Sequence, residues 1–529
     1  MSLAADLRMY GRFARGLRRF LRERTTLDEA RAIVRRRLAT REELFLRIVE
    51  RGVYGHPASP YLPLLRRAGC ELGDVRSMLR DRGVEGALRA LRDADVYVTF
   101  DEFKGRVPIE RPGLALRLGA RDFDNPFASR HFETRTGGST GAGTRILYDL
   151  EHLAATLPVE LLTQEAHGLL GLPACQWRPI LPAGSGIRIL LRSARIGNVV
   201  RRWWTPVLSG DLRVARKYRF ATAYVLAVMR ANGIPAPRPE PLRMDQADVV
   251  ARWAADTARA EGGCVVRLFV SMALRVALAA REAGLDLTGV TFTGGGEPPS
   301  PAKVRGITSG GARYVANYGM SECGGVGKPC ARPLDATDVH FCADYLALIQ
   351  EPKRVGESDA VVNAFCVTTL LPSAPKIMLN VESDDYGIVE NRSCGCPLGA
   401  LGYDRHIRQV RSFKKLTGEG MTLVGTDMLH VLEEVLPARF GGTALDYQLE
   451  EEEDEAGFTR MTLIVHPRVE LADEQEPVRA LLESLTRAGA GAEITRAVWA
   501  QAGTFRVRRA EPVWTGAGKL MPFRRAPRA

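Results

Sequence analysis

The sequence lacks any apolar run of the ~18 residues that a membrane span requires. Residues 1–6 also lack the apolar core and the cleavage pattern of a signal peptide. The chain has nine cysteines among 529 residues, and an odd number in a chain of this length argues against a disulfide framework. These absences exclude membrane-spanning and disulfide-rich secreted proteins, and they predict a cytoplasmic protein.

The composition, with 45% hydrophobic and 26% charged residues, favours a globular protein with a large core and more than one domain. The net charge of +12 can indicate nucleic-acid binding. However, zinc-finger spacing, aromatic RNA-binding motifs and a basic low-complexity tail are all missing, so we expect no nucleic-acid partner. A positive balance fits an anionic small-molecule substrate equally well.

A loop rich in glycine and hydroxyl side chains spans residues 134–145. Two of its glycines, Gly138 and Gly143, have Walker spacing, but Thr144-Arg145 follows where a Walker A motif has lysine. Glycines let backbone N–H groups turn inward around an anion, and hydroxyls add further donors. Alone, the pattern fits an ordinary surface loop as well as a phosphate loop. The candidate phosphate-binding residues are Ser139, Thr140, Gly141 and Thr144.

Three further motifs follow in order along the chain. Thr293–Pro299 reads Thr-Gly-Gly-Gly-Glu-Pro-Pro, Asn317–Glu322 reads Asn-Tyr-Gly-Met-Ser-Glu, and Thr515–Lys519 reads Thr-Gly-Ala-Gly-Lys. With the glycine-rich loop, this ordered set resembles the adenylate-forming superfamily, and specifically its phenylacetate–CoA ligase branch. Each motif is weak alone, but the four occur in the family's order. The resemblance extends from about Leu44 to Arg525.

The resemblance implies a reaction in two halves. A carboxylate attacks the α-phosphorus of ATP to give an acyl-adenylate and pyrophosphate, and a nucleophile then takes the acyl group. Glu322 would bind Mg²⁺, and Lys519 would contact the carboxylate and the α-phosphate. The other implied nucleotide contacts are Gly296, Glu297, Pro298, Tyr318, Gly319, Ser321 and Asp385. The plainer alternatives are a surface carboxylate for Glu322, an exposed terminal lysine for Lys519 and a turn residue for Asp385, with Asp384 beside it.

The chain departs from the family at two places. The phosphate loop has Ala142 and Gly143 where relatives carry Lys and Pro, and Arg145 is a candidate for the missing charge. Residues 412–421 lack the family's Gly-Arg-x-Asp-Asp-Met hinge, so we assign no hinge residue. The missing hinge sequence weakens the prediction of the second half-reaction more than that of the first. We expect CoA as the acyl acceptor and an aryl acid as the substrate.

Three alternatives to a CoA acceptor stay open: an amine, a carrier protein and an inorganic nitrogen nucleophile. A further alternative, from a different class, is a nucleotide-binding relative that has lost catalysis. The acid pocket is expected between residues 177 and 293, with Trp203, Trp204 and Phe269 as candidates.

Four cysteine and histidine positions have the spacing of a metal site. A Cys-x-Cys pair can present two thiolates to one ion, and three cysteines with one histidine form a standard closed structural zinc set. The same positions match a zinc site that many phenylacetate–CoA ligase relatives carry. Cys323 and Cys342 are spare thiols that could compete, and buried cysteines beside a core histidine are the alternative. The predicted zinc ligands are Cys330, His340, Cys394 and Cys396.

Alternating strand-like and helical runs predict an α/β protein. We expect a large N-terminal α/β adenylation lobe over residues 1–407, with a helical extension over 1–112, and a small mobile α+β lid over 408–529. The predicted strands of the large lobe include Ile187–Leu191, Val265–Phe269, Val290–Thr293 and Phe365–Leu370.

The first helix has a stripe of apolar residues at three- and four-residue spacing, with arginines largely elsewhere. This pattern fits a helix that lies on a membrane surface or binds a partner. It fits better a helix packed on its own domain, because the apolar stripe continues into later helices. The quaternary state stays open, with a homodimer as one option.

Overall fold

The computed structural model of the chain describes residues 3–128, 132–135, 145–181, 184–206, 216–296, 299, 301–320, 322–354, 361–412, 415–418, 421–424, 431–455, 458–484, 499, 501–513 and 523–525. Helices of the described residues are α1 (Leu3–Arg22), α2 (Leu27–Ala39), α3 (Arg41–Ile48), α4 (Tyr61–Arg67), α5 (Leu72–Asp93), α6 (Phe100–Phe103), α7 (Leu150–Ala155), α8 (Leu157–Ala166), α9 (Ser185–Arg195), α10 (Arg216–Ala231), α11 (Ala247–Glu261), α12 (Val270–Glu282), α13 (Pro301–Thr308), α14 (Leu436–Phe440) and α15 (Glu476–Ser484).

Strands of the described residues are β1 (Ile109–Arg111), β2 (Leu114–Leu116), β3 (Phe132–Arg135), β4 (Arg145–Tyr148), β5 (Ala174–Trp177), β6 (Val200–Thr205), β7 (Pro239–Pro241), β8 (Cys264–Leu268), β9 (Val290–Gly294), β10 (Arg313–Ala316), β11 (Tyr318–Met320), β12 (Gly324–Pro329), β13 (Val339–Phe341), β14 (Leu346–Arg354), β15 (Val361–Thr369), β16 (Val381–Asn391), β17 (Arg405–Ser412), β18 (Lys415–Gly418), β19 (Met421–Val424), β20 (Tyr447–Glu453), β21 (Thr459–Val465), β22 (Phe505–Arg509) and β23 (Phe523–Arg525).

The helical N-terminal region packs on the rest of the chain through the apolar face of α1. Phe13, Leu17 and Phe20 are each at most 3% exposed, and they join a core cluster with residues of α7, α9 and α10. The exposed side of α1 carries Arg12, Arg15, Arg18, Arg19 and Arg22. Of the two interpretations of this helix, packing on its own chain is the one that the structure shows. Within the described residues, no helix is long and apolar enough to cross a membrane.

A six-stranded parallel sheet forms the centre of the large body, with strand order β10-β9-β8-β5-β6-β7. Every residue of β5, β8 and β9 is buried, as expected for parallel strands covered by helices on both faces. The chain proceeds outward from β5 in one direction and from β8 in the other. Ligands of open α/β sheets bind outside the carboxyl ends of the strands at such a reversal of order.

A seven-stranded sheet lies next in sequence, with order β11-β12-β13-β17-β16-β15-β14 and antiparallel pairing throughout. It carries Tyr318 on β11, His340 on β13, Asp385 on β16 and His406 on β17. The neighbouring strands β13 and β17 place His340 opposite His406, although the two are far apart in the sequence. The strand β17 continues through the expected domain division between residues 407 and 408, and it pairs with β16 as far as Ser412.

A separate four-stranded sheet forms the C-terminal unit, with order β22-β21-β20-β23. It packs against the helices of the parallel sheet, where the Arg275 guanidinium lies 4.6 Å from the centroid of the Phe458 ring. The Lys303 ammonium donates to the Thr459 hydroxyl at 3.1 Å in the same contact region. The predicted fold class, a large α/β body with a smaller α+β C-terminal unit, is confirmed by this arrangement.

One predicted strand is wrong. Residues 187–191 belong to the helix α9, in which Ile187, Leu190 and Leu191 are all buried. Their spacing of three and four residues places them on one helical face, so the periodicity of the apolar residues overrides the β-branched composition of the run. The strands predicted around Val265, Val290 and Phe365 are present as β8, β9 and β15.

Candidate functional site

Tyr318, on the edge strand β11, contacts Asp385, on the inner strand β16 of the same antiparallel sheet. The Tyr318 hydroxyl donates to Asp385 Oδ2 at 2.9 Å. Burial raises the pKa of Tyr318 well above its usual value, and the nearby Asp385 charge adds to the shift, so the phenol stays protonated. Because side chains alternate across a strand, Asp384 points away and is 1% exposed, whereas Asp385 is partly exposed. Asp385 is therefore the carboxylate that faces Tyr318.

Two glycines permit the close approach of backbone segments around this pair. A Cβ atom at Gly295 would lie 2.4 Å from the carbonyl oxygen of Asn317, so the loop after β9 can touch the loop before β11 only with glycine there. A Cβ atom at Gly319 would lie 2.9 Å from the carbonyl oxygen of Gly324. The Gly-rich motif and the Tyr-Gly motif thus pack directly on each other. Gly296 follows with a φ of +89°.

Glu322 lies in the turn between β11 and β12 and is 9% exposed. One of its carboxylate oxygens accepts a hydrogen bond from the ammonium of Lys104, which follows α6 in the helical N-terminal region. The pKa of Tyr318 is raised mainly by burial, and the negative charge of Glu322 also contributes to this shift. Nothing in the sequence pattern identifies Lys104, because it lies in no motif and more than 200 residues from its partner.

His152 is a further residue near Glu322 that the sequence does not single out. Its Nε2 atom lies 3.4 Å from the carbonyl oxygen of Cys323, the residue after Glu322, and its Nδ1 atom lies 3.4 Å from the Ser373 hydroxyl. Burial lowers the pKa of His152 to about 4, which leaves the ring neutral at physiological pH.

The remaining predicted nucleotide residues lie outside the described residues. The strands β3 and β4 flank the glycine-rich loop and pair in antiparallel fashion, with Arg135 opposite Arg145. Asp149 then caps α7 by accepting a hydrogen bond from the backbone N–H of Glu151 at 2.7 Å.

The predicted residues that fall outside the described ranges are Ser139, Thr140, Gly141, Thr144, Glu297, Pro298, Ser321 and Lys519.

Arg178 and Phe269 lie at the reversal of strand order in the parallel sheet, where they directly follow β5 and β8. The Arg178 guanidinium lies 4.0 Å from the centroid of the Phe269 ring, and its Nη2 donates to the Leu268 carbonyl at 2.6 Å. Of the aromatic residues expected to line a pocket here, Trp203 and Trp204 are 0% and 4% exposed and belong to the core. Phe269 is 8% exposed and also packs in the core, at the carboxyl end of β8.

The four predicted zinc ligands converge on one buried position. His340 Nε2 lies 3.1 Å from Cys396 Sγ and 3.8 Å from Cys394 Sγ. A hydrogen bond between Cys330 and Cys396 lowers the pKa of Cys396 and raises that of Cys330. All nine cysteines are free thiols.

A second histidine, which the sequence analysis missed, joins this cluster. The ligand atoms of Cys330, His340, Cys394 and His406 all lie within 4.8 Å of one another. His406 comes from β17, and its ring centroid lies 4.2 Å from that of His340. The only signal that could have found it is the strand pairing of His340 with His406, which requires the sheet register.

The chemistry of these residues fits a bound metal ion. His340 Nδ1 donates to the Tyr403 carbonyl at 2.7 Å, which leaves the Nε2 lone pair facing the thiols. Asp338 accepts from His406 Nδ1 at 2.7 Å, and the buried Nε2 of His406 has no hydrogen-bond partner among the described residues. Histidine ligands of zinc usually donate their second N–H in this way to a carboxylate or carbonyl. We call these five residues, Cys330, His340, Cys394, Cys396 and His406, the Cys/His cluster.

No protein-family model matches the chain, and no curated protein matches it. Among solved structures, the chain is similar to a 2-hydroxyisobutyryl-CoA ligase in the postadenylation state, with 13% identity and a TM-score of 0.43 over 94% of this chain and 90% of that one. It is also similar to the amide bond synthetase McbA from Marinactinospora thermotolerans, with 12% identity and a TM-score of 0.43 over 91% of this chain and 92% of that one. Similarity at this level does not by itself assign an activity.

Proposed function

We propose that the chain is an ATP-dependent, AMP-forming carboxylate ligase of the adenylate-forming superfamily. The observation that carries the proposal is the hydrogen bond between Tyr318 and Asp385, which brings two separate sequence motifs together, one of which also contains Glu322. A partly exposed carboxylate such as Asp385 can accept hydrogen bonds from ribose hydroxyls, and Tyr318 beside it can flank the adenine. A carboxylate in a turn, such as Glu322, is a suitable ligand for Mg²⁺.

The proposed first half-reaction brings a carboxylate against a polyphosphate, so its main requirement is neutralisation of charge and alignment of the reacting atoms. Lys519 would contact the carboxylate and the α-phosphate, and Ser321 would donate to the α-phosphate. Mg²⁺ at Glu322 would neutralise phosphate oxygens when bound. The phosphate loop, through Ser139, Thr140, Gly141 and Thr144, would hold the β- and γ-phosphates. The adenine and ribose side would be completed by Gly296, Glu297, Pro298 and Gly319.

The proposed acid site is the crevice at the carboxyl ends of β5 and β8. Arg178 and Phe269 lie there, and crevices at a reversal of strand order are the usual ligand sites of open parallel sheets. An aromatic ring at this position is compatible with an aryl acid, which is our first choice of substrate.

For the second half-reaction we propose CoA as the acceptor, with a second candidate kept open. The absence of the family's hinge sequence in residues 412–421 favours considering an amine, a carrier protein or an inorganic nitrogen nucleophile as well. A non-catalytic relative is less favoured, because a protein that only binds a nucleotide has no need of both Glu322 and Lys519.

The test is to incubate the purified protein with ATP, MgCl₂ and a panel of carboxylic acids, and to measure pyrophosphate with and without CoA. We expect pyrophosphate only when the correct acid is present, and a thioester when CoA is added. Pyrophosphate without a thioester, together with consumption of an added amine, would favour the second candidate. ATP binding without pyrophosphate release for any acid would contradict a ligase. Lys519→Ala is the matched control for background ATP hydrolysis.

We further propose that the Cys/His cluster binds one structural Zn²⁺. Cys330, His340, Cys394 and Cys396 would be the ligands, and His406 is the alternative to Cys396 as the fourth ligand. Four protein ligands leave no open coordination position, so this zinc would stabilise the fold rather than take part in the chemistry.

A further inference from the structure

Lys104 contacts the proposed metal-binding carboxylate from a part of the chain that no motif covers. Its ammonium donates to Glu322 Oε1, and the two side chains are only 11% and 10% exposed. The same ammonium lies 5.2 Å from the centroid of the Phe100 ring and 5.9 Å from that of Phe103. The pair is therefore largely removed from water on the side of the helical region.

Local structure fixes the backbone that carries Lys104. The short helix α6 begins with a capping box in which Thr99 and Glu102 each accept from the other's backbone N–H, at 3.3 and 2.7 Å. Glu102 is held in turn by Arg111 at 2.8 Å. Phe103 packs on Phe123, with ring centroids 4.8 Å apart. The backbone at Lys104 is therefore held in place by its surroundings. Only the flexible four-carbon side chain of Lys104 has to move to break its ion pair with Glu322.

An ammonium and a Mg²⁺ ion make competing demands on the same carboxylate. Magnesium requires near-ideal octahedral geometry with ligand distances of ~2.0–2.1 Å, and a lysine ammonium at hydrogen-bond distance from the same group repels it. A buried carboxylate without any counter-ion, however, is costly. A charge that stabilises Glu322 before the metal arrives therefore also opposes the metal.

We propose that Lys104 is the place-holder for Mg²⁺ at Glu322: it pairs with the carboxylate in the metal-free protein and is displaced when the metal binds. Lys104 is then a positioning residue, because it keeps Glu322 ionised and oriented without touching the reacting atoms. This inference rests on the proposed function, in which Glu322 is the Mg²⁺ ligand. It predicts that part of the metal-binding free energy is spent on breaking the Lys104–Glu322 pair.

The test is Mn²⁺ binding, followed by electron paramagnetic resonance as a substitute for Mg²⁺, with and without a non-reactive ATP analogue. Lys104→Met removes the competing charge, and we expect it to tighten Mn²⁺ binding by at least ~10-fold. Lys104→Gln, which keeps a hydrogen bond but not the charge, should shift the affinity in the same direction. Lys104→Gln also provides the measurement if Lys104→Met does not fold.

The matched control is Lys376→Met. Lys376 is another buried lysine near Phe103, at 5.6 Å from the ring centroid, and it donates to Asp124 at 2.9 Å instead of to Glu322. This variant loses a comparably buried ion pair, so it reports any general effect of destabilisation on Mn²⁺ binding. We expect its Mn²⁺ affinity to equal that of the wild type.

Two outcomes separate this inference from the proposed function. Unchanged or weaker Mn²⁺ binding in both Lys104 variants, while Glu322→Gln abolishes binding, overturns the place-holder role and leaves Glu322 as the metal ligand. If Glu322→Gln also leaves Mn²⁺ binding unchanged, Glu322 is not the ligand, and both the inference and that part of the proposed function fail.

Discussion

The Cys/His cluster and the Tyr318–Asp385–Glu322 site lie in the same antiparallel sheet but are built differently. In the cluster, His340, Cys396 and His406 are at most 1% exposed, and each histidine is oriented by a hydrogen bond from its second nitrogen. In the other site, Tyr318 and Asp385 are partly exposed, and the neighbouring motif residues belong to glycine-rich loops. The difference fits the two proposed roles, a closed site for an ion that stays bound and a second site whose Tyr318–Asp385 side is open to a ligand that enters and leaves.

The largest expected effect comes from breaking the closed site. Cys396→Ser should reduce the zinc content from about one ion per chain to near zero, because a hydroxyl is a far poorer zinc ligand than a thiolate. The loss should lower the free energy of unfolding by at least ~3 kcal/mol, a fraction of what a closed zinc site supplies to a small domain. Metal analysis of protein purified without chelator, together with urea unfolding, measures both.

Cys342→Ser is the matched control, because Cys342 is equally buried but lies outside the cluster. It should keep its zinc. His406→Gln decides whether the second imidazole is a ligand: loss of zinc in this variant, with retention in Cys396→Ser, would replace Cys396 by His406. A wild-type protein that is folded and free of metal would contradict the zinc assignment altogether.

The next effect concerns the open site. Lys519→Ala should lower the rate of adenylation by ~10²-fold or more, as expected when a charge that contacts the transition state is removed. Folding and ATP binding should stay close to those of the wild type, because the lysine would act only on the reacting groups. The rate is measured as pyrophosphate release with the correct acid. An unchanged rate would rule out this lysine in adenylation.

Glu322→Gln should have a smaller effect at the same site. The neutral amide binds a hard cation less well than a carboxylate, so we expect the Mg²⁺ concentration for half-maximal adenylation to rise by ~10-fold. A titration of Mg²⁺ at fixed ATP measures this requirement, and an unchanged requirement would remove Glu322 from the metal site. Glu390→Gln is a suitable control, since Glu390 is a partly exposed carboxylate paired with Arg408 on the same sheet.

The comparison also shows what sequence can predict. Residue type and spacing predict Cys330, His340, Cys394 and Cys396 as zinc ligands, which stays a prediction, whereas the strands predicted from apolar runs are present as β8, β9 and β15. His406 could not be predicted, because its position beside His340 depends on the strand register. Lys104 could not be predicted either, because its partner Glu322 lies more than 200 residues away in the sequence. The strand predicted over residues 187–191 fails because helical spacing of its apolar residues outweighs local composition.

The smallest expected effect is a pH dependence that comes from His152, next to the open site. Burial lowers its pKa from 6.5 to about 4, so the folded state binds this proton less readily than the unfolded state. The neutral ring's contribution to stability is therefore fully present above pH ~6.5 and is lost as the pH falls toward ~4. A full shift of this size would be worth ~3 kcal/mol, and we expect ~1–2 kcal/mol because the ring is partly exposed. The measurement is the difference in urea unfolding free energy between the wild type and His152→Gln at several pH values. This difference cancels the carboxylates that titrate in the same range, and a difference independent of pH would show that the ring is not held neutral by its surroundings.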